Sequence, residues 1–274
     1  MLKRDFSFKK ITGVTLMLLC FAFALLPIIW ALILSFRPTT HLFEPVWESP
    51  TAFTLDNFHT LVGSDFPLAL LNSLVTAGAS TLLALIIGIP AGFALAKGRS
   101  QKKFIASWML LLLRMAPPVG FVIPLFLIYL NVGLLDTWIG LIAAYMVLTL
   151  PLVVWSSWTS MAQIPDELIE AALIDGASLY QALVKIIIPA ARPGIIATAV
   201  LAFLIAWNDF FFALIITRSD TVTAPVAIMN FVSYASVNWG SIALASVVLT
   251  LPTIPVIIFA NKYIVQSMGG AVKG

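Results

Sequence analysis

Six stretches of this chain, at about 11–35, 70–96, 104–130, 137–160, 194–216 and 240–265, are long and predominantly apolar. Each reaches the roughly 20 residues that an α-helix needs to cross about 30 Å of hydrocarbon. Within a bilayer every backbone polar group must be satisfied by the protein, which leaves only helices and closed barrels. Runs of this length are far longer than a barrel strand. They predict an all-α polytopic membrane protein with six transmembrane helices, one transmembrane domain over residues 1–274. Several runs exceed the minimum, so those helices are expected to tilt or project beyond the bilayer. Composition agrees: 61% of residues are hydrophobic and 10% charged, against about 45–50% and about 25% in soluble domains. An ordinary soluble globule is excluded.

The first run follows a basic segment (Lys3, Arg4, Lys9, Lys10), and Ala22-Phe23-Ala24 resembles a signal-peptide cleavage site. The apolar run continues through Leu34, however. That is longer than the 7–15 residues of a signal h-region, so an uncleaved first span is expected. Six spans put both termini on one side. Lys3, Arg4, Lys9, Lys10, Lys97, Arg99, Lys102, Lys103, Lys185, Arg192, Lys262 and Lys273 then share a face, and only Arg37 and Arg218 fall on the other. By the positive-inside rule the termini, the 97–103 loop and the 161–193 loop are cytoplasmic.

The 161–193 loop is the one long polar-edged interruption in the second half of the chain. Pro165 suits a helix start, and Asp166, Glu167 and Glu170 put negative charge where the helix dipole favours it. Leu168, Ala172 and either Ile169 or Leu173 share a helical face. Gly176 can end that helix in a left-handed conformation. Ser178 with Gln181 forms a capping-box pattern for a second short helix, expected to stop near Ile188 because Pro189 lacks a donor. Small residues, Ala171, Ala172, Gly176 and Ala177, cluster at the bend, where another backbone could come close. The loop is either an amphipathic connector or a docking knob. A DNA-binding helix-turn-helix shares its spacing, but Lys185 and Arg192 are its only bases, too few for a phosphate-binding face. No nucleic-acid partner is expected.

Glu170-Ala171-Ala172, three residues, Gly176, nine residues and Ile186-x-Ile188-Pro189 resemble the EAA motif of binding-protein-dependent ABC importer permeases, with Ile188 where leucine is usual. The likeness extends to Leu55-Asp56-Asn57-Phe58, Asn72-Ser73, Ala206-Trp207-Asn208-Asp209 and the terminal Gly270-Ala271-Val272-Lys273-Gly274. Together they look like the second, maltose-type permease of carbohydrate importers. The resemblance implies a heterodimeric pore with a sister permease, two copies of a cytoplasmic ABC ATPase and an extracytoplasmic solute-binding protein. It places the whole in the lipid of the bacterial inner membrane. It implies that Glu170, Ala171, Ala172, Asp175, Gly176 and Pro189 form the ATPase contact. ATP and magnesium would belong to the partner subunits, because the chain has no G-x-x-x-x-G-K-[ST] loop. It is therefore expected to be a transporter subunit and not itself an enzyme.

Polar residues within the spans need a reason to be there. Arg114 lies near mid-depth ahead of Pro117-Pro118, which should kink or break that helix. Arg114 either bonds the carbonyls those prolines free or lines the pathway. Asn208 could contact a hydroxylated solute, while Asp209 could sit at headgroup level. Asn72, Thr76 and Ser80 form a stripe that is either helix-packing glue or a ligand face, as is Gly88-x-Pro90-x-Gly92. The 217–239 loop, with Tyr234 and Trp239, is either a solvated connector or, by resemblance, a contact with the binding protein. His41 and His59 give no metal pattern, and Cys20, alone, is expected to be a small core residue. The alternative function is a secondary transporter or channel, which would usually show buried carboxylates or histidines for ion coupling.

Overall fold

The computed structural model describes residues 2–42, 44–45, 48, 53–98, 102–115, 117–233 and 237–269. Arg99, Tyr234 and the terminal stretch from Gly270 lie outside the described residues, as does the side chain of Arg114. Among the described residues the chain is all-α, with one isolated bridge between Val232 and Val237. The helices are α1 (Leu2–Ser35), α2 (Asp56–Val62), α3 (Phe66–Lys97), α4 (Lys102–Met115), α5 (Pro118–Val132), α6 (Trp138–Ala162), α7 (Glu167–Ile174), α8 (Leu179–Ala182), α9 (Ile188–Ala190), α10 (Arg192–Trp207), α11 (Phe211–Ile216), α12 (Ala224–Ala227), α13 (Trp239–Thr250) and α14 (Thr253–Gly269).

Four helical stretches are long and apolar enough to cross a bilayer alone: Thr12–Ser35, Phe66–Lys97, Trp138–Ala162 and Trp239–Tyr263. The expected spans at 104–130 and 194–216 are not continuous helices. The first breaks between α4 and α5, where Pro117 is extended, as the Pro117-Pro118 pair predicts. The second breaks after Trp207: Asp209 Oδ1 accepts from the N–H groups of Phe212 and Ala213 and so starts α11. An acceptor at that position satisfies donors that a helix start leaves orphaned. The 240–265 span, by contrast, keeps its length as the single stretch Trp239–Tyr263, with a turn at Leu251 and Pro252 where α13 meets α14.

The chain divides into two compact units, one from residues up to Pro67 with Ile228–Leu251, the other from Leu68–Ala227 and the chain beyond Pro252. In the first unit α1 packs on α13 near one end, and its residues 12–30 are largely exposed. Cys20 is exposed there, not in a core. Lipid is as apolar as a protein interior, so hydropathy cannot separate the two. Asn57 of α2 locks this unit: its Nδ2 donates to the carbonyls of Ser35 and Arg37. Gly240 makes room for it, since a Cβ there would lie 2.4 Å from the Asn57 amide.

In the second unit α3 and α6 approach closely over Ala84, Leu152 and Val153 with Ala202 of α10. The Gly88-x-Pro90-x-Gly92 segment is packing glue. A Cβ at Gly92 would lie 2.8 Å from the Trp158 nitrogen and 2.9 Å from the Val154 oxygen. Those are backbone atoms and cannot swing away. Gly92→Ala should therefore cost roughly 1–3 kcal/mol or more by overpacking and sharply reduce accumulation in the membrane. Gly78→Ala, on the same helix with nothing within 4 Å, should accumulate normally. Immunoblots of membrane fractions would test the pair. Several hydroxyls within the spans bond their own helices, as Thr76 to Asn72 O, Thr149 to Tyr145 O and Thr198 to Gly194 O. This satisfies them without water.

Candidate functional site

The knob between α6 and α10 forms as its local chemistry dictates. Asp166 precedes α7, and Glu167 and Glu170 occupy its first turns. The helix ends in a Schellman arrangement: Gly176 N–H donates to Leu173 O, and Ala177 N–H to Ala172 O. Gly176 has φ +83, the left-handed region that glycine adopts without strain. Ser178 and Gln181 form both bonds of the capping box that starts α8. The second helix does not stop at Ile188. A wide turn over Leu183–Ile187, with Ile188 N–H donating to Leu183 O, carries the chain past Pro189 to Ala190. The helix axis then swings by 82° into α10.

The knob has two faces. Ile169, Leu183, Ile187 and Ala191 are buried against Met161 at the end of α6, with Ile89, Phe93 and Ala96 of α3 packed around them. Ala172 is buried on the same side, whereas Leu168, expected on that face, is exposed. Ile169, three residues before Ala172 and so on its face, takes the inward position. The other face carries Leu173, Leu179, Ile174 at 86% exposure and Tyr180 at 74%. Glu170, Ala171, Asp175, Gly176 and Pro189 are exposed too. Nothing lies within 4 Å of where a Gly176 side chain would begin. Large apolar side chains on a polar loop outside the spans mark an interaction surface.

Lys97, the last residue of α3, ties the knob to the bundle in a way the sequence reading missed. Its Nζ donates to the Ile164 carbonyl and, at 2.6 Å, to Asp166 Oδ1. The Lys97 side chain is 11% exposed and that of Asp166 73%. A carboxylate so well hydrated contributes at most about 1 kcal/mol to an ion pair. The carbonyl bond of a nearly buried ammonium dominates.

Near the opposite end of α6 a second cluster forms. Asp136, just before α6, has φ +54 and accepts six hydrogen bonds from one loop. The donors are the N–H groups of Arg218, Ser219, Asp220 and Thr221 and the hydroxyls of Ser219 and Thr221. Partial burial works against the charge, but the donors at Ser219, Arg218, Asp220 and Thr221 outweigh it and hold the carboxyl well below the usual range. Beside it Asn72 Nδ2 donates to the Asp220 and Val222 carbonyls, and Asn72 Oδ1 accepts from Trp138 Nε1. Ser73 Oγ accepts from Ala224 N–H. Asn72 is buried and engaged at both ends of its amide, whereas Asn208 is exposed and donates to Leu204 O. Asp209 is half-buried at the start of α11. His41 pairs with Glu44. Among the described residues no group of three or more His, Cys, Asp or Glu could hold a metal.

A family model for the inner membrane component of binding-protein-dependent transport systems matches residues 84–270, from the middle of α3 through the knob to the end of α14. This chain belongs to that family. It is 38% identical over 257 residues to the trehalose transport permease SugB of Mycobacterium tuberculosis, covering 92% of this chain and 93% of the relative. It is 33% identical to the trehalose/maltose transport permease MalG of Thermococcus litoralis, covering 99% of each. In fold it matches a chain of a bacterial ABC transporter that imports alginate, with a TM-score of 0.75, 21% identity and coverage of 95% and 97%.

As an ABC importer permease, the chain is a multi-pass membrane protein and not the ATPase of its transporter. The Lys97 tie makes a prediction that separates its two bonds. Lys97→Met should lose about 1–3 kcal/mol of stability and impair uptake, because the Ile164 carbonyl loses its donor. Asp166→Asn should stay within about twofold of the parent in uptake. Thermal melting of the purified variants, with uptake in cells, would check both.

Proposed function

We propose that this permease forms one half of a heterodimeric pore that imports a sugar or related polyhydroxylated solute into the cytoplasm. A separate ATPase pair drives it through residues 166–189 of the 161–193 loop. The observation that carries the reading is the two-faced knob: one face bolted to α3 and α6, the other presenting Ile174 and Tyr180 to solvent around an open glycine bend. Such a surface is built to be covered. The relatives support the solute class, since their names specify trehalose, maltose and diacetylchitobiose.

The distribution of Lys and Arg supports a cytoplasmic knob and cytoplasmic termini. ATP and magnesium would then be held by the ATPase partners. Closure of that pair would pull on α7–α9 and turn the pore outward, and hydrolysis would return it. A solute-binding protein would deliver the solute from outside. One solved relative in fold is an alginate transporter in complex with a pentasaccharide-bound periplasmic protein.

The test is to tag the chain in its native host, extract it in mild detergent and identify co-purifying proteins by mass spectrometry. A sister permease and a Walker-type ATPase are expected. The chain alone, or a homo-oligomer, under conditions that keep a control importer intact would overturn the reading in favour of a secondary transporter.

A further inference from the structure

Two cations at the ends of α10 and α14 share one aromatic ring. The Arg192 guanidinium lies 5.6 Å from the Tyr263 ring centroid and the Lys262 ammonium 4.8 Å from it. Lys262 also lies 5.4 Å from the Phe259 centroid. Helices α10 and α14 pack against each other in one unit, so the pair is held by the fold and not by one flexible loop. Neither cation forms an ion pair with a carboxylate among the described residues. Two like charges within about a Debye length of each other repel. The shared ring offsets part of that repulsion, each cation–π contact at an exposed site contributing only modestly. Among the described residues the arrangement lacks an anion.

Its position says which anion. Tyr263 closes the apolar stretch Trp239–Tyr263, and Arg192 opens α10. Tyrosine and the basic side chains at span ends sit where lipid phosphates lie. About one to two and a half turns further into the span, α14 exposes Ile254, Ile257, Ile258 and Phe259, an apolar surface suited to acyl chains. A soluble phosphate would use the cations and leave this surface idle; a phospholipid uses both.

We infer that Arg192, Lys262 and Tyr263 form a binding site for the phosphate of an anionic phospholipid headgroup, with the acyl chains along α14. Arg192 lies two residues beyond the end of α9, so the bound lipid braces the base of the knob. The leaflet, though not the site, rests on the orientation proposed above.

The test uses native mass spectrometry of the detergent-purified permease with its co-purifying partners, titrated with phosphatidylglycerol, phosphatidylcholine or inorganic phosphate. Each interfacial cation contributes roughly fivefold to anionic-lipid affinity, so the pair predicts a preference for phosphatidylglycerol of roughly 25-fold. Arg192→Gln with Lys262→Gln should abolish that preference, and Lys262→Gln alone should reduce it roughly fivefold. Lys185→Gln, an exposed base of the same loop that makes no such ring contact, should retain it. Retention in the double variant overturns the site. Equal loss in Lys185→Gln would reduce it to diffuse surface charge, and equal competition by inorganic phosphate would make it a free-phosphate site. Should the double variant fail to accumulate, the Lys262→Gln result decides. Cysteine labelling at Lys185→Cys reports the orientation separately: labelling from outside would move the site to the outer leaflet without changing the titration.

Discussion

Gly176→Asp should leave the permease in the membrane at normal abundance and reduce solute uptake to background. The two halves of this expectation come from different parts of the geometry. Gly176 has φ +83, and aspartate is one of the few side chains that enters the left-handed region with little strain. Its Cβ would meet nothing within 4 Å, so the chain itself accommodates the change. The new carboxylate instead projects from the exposed face, beside Ile174 and Tyr180. Burying an unpaired charge in a docked interface costs about 3–5 kcal/mol, more than a hundredfold in the population of the coupled state. Gly176→Asn supplies the control, with the same backbone tolerance and no charge, and should retain substantial uptake. Uptake assays with membrane immunoblots check both halves. Normal uptake in Gly176→Asp would remove the docking role; absence from the membrane would show that the bend matters to folding instead.

That bend was readable because everything it needs is local. The Schellman end at Gly176, the Ser178–Gln181 box and the acidic first turn of α7 each involve residues within a few positions of one another. The helix break at Pro117 is of the same kind. The break after Trp207 was hidden because hydropathy reads Phe210–Ile216 as more span, although an aspartate with two N–H groups to receive is an ordinary helix start. Asp136 was missed for a different reason: its partners lie 82 to 85 residues away in sequence. An acid between Gly133 and a span start is a weak signal of a turn and gives no hint of what the turn holds. The facing of α1 was unreadable in principle from hydropathy, because lipid and protein interior select the same side chains. Cys20 shows the consequence. The Asn72 stripe lay between these cases. Its burial was legible in the four-residue spacing, but its partners, the 220 and 222 carbonyls and the Trp138 indole, were not.

Asp136→Ala should release the 218–221 loop while leaving the helices in place. The carboxylate is the sole common acceptor of six hydrogen bonds from that loop. Hydrogen bonds to a charged group are roughly twice as strong as neutral ones. Without it, the amides of Ser219, Asp220 and Thr221 lose their partner, and their hydrogen exchange should accelerate by roughly tenfold or more, the exchange scale of a local opening about 1.4 kcal/mol easier. Asp136→Gly removes the same acceptor yet relieves the strain at φ +54. If the carboxylate is what matters, both variants exchange alike; if backbone strain matters, only the alanine does. The pH dependence has a definite sign. A carboxyl held below its ordinary value contributes stability that is present above the unfolded pKa, about 3.9, and is lost only as pH falls through the folded value, far lower. The protection of these amides, corrected for intrinsic exchange, should therefore be flat from neutrality down to mildly acidic pH. A loss of protection near pH 5 to 6 would mean that another group holds the loop. Asp136 sits at one end of α6 and the knob at the other, about 37 Å apart along 25 residues. On the function proposed above, uptake should fall in Asp136→Ala even though no residue of the knob has changed, because α6 joins the 218–221 loop, which Asp136 fastens, to the knob at its other end.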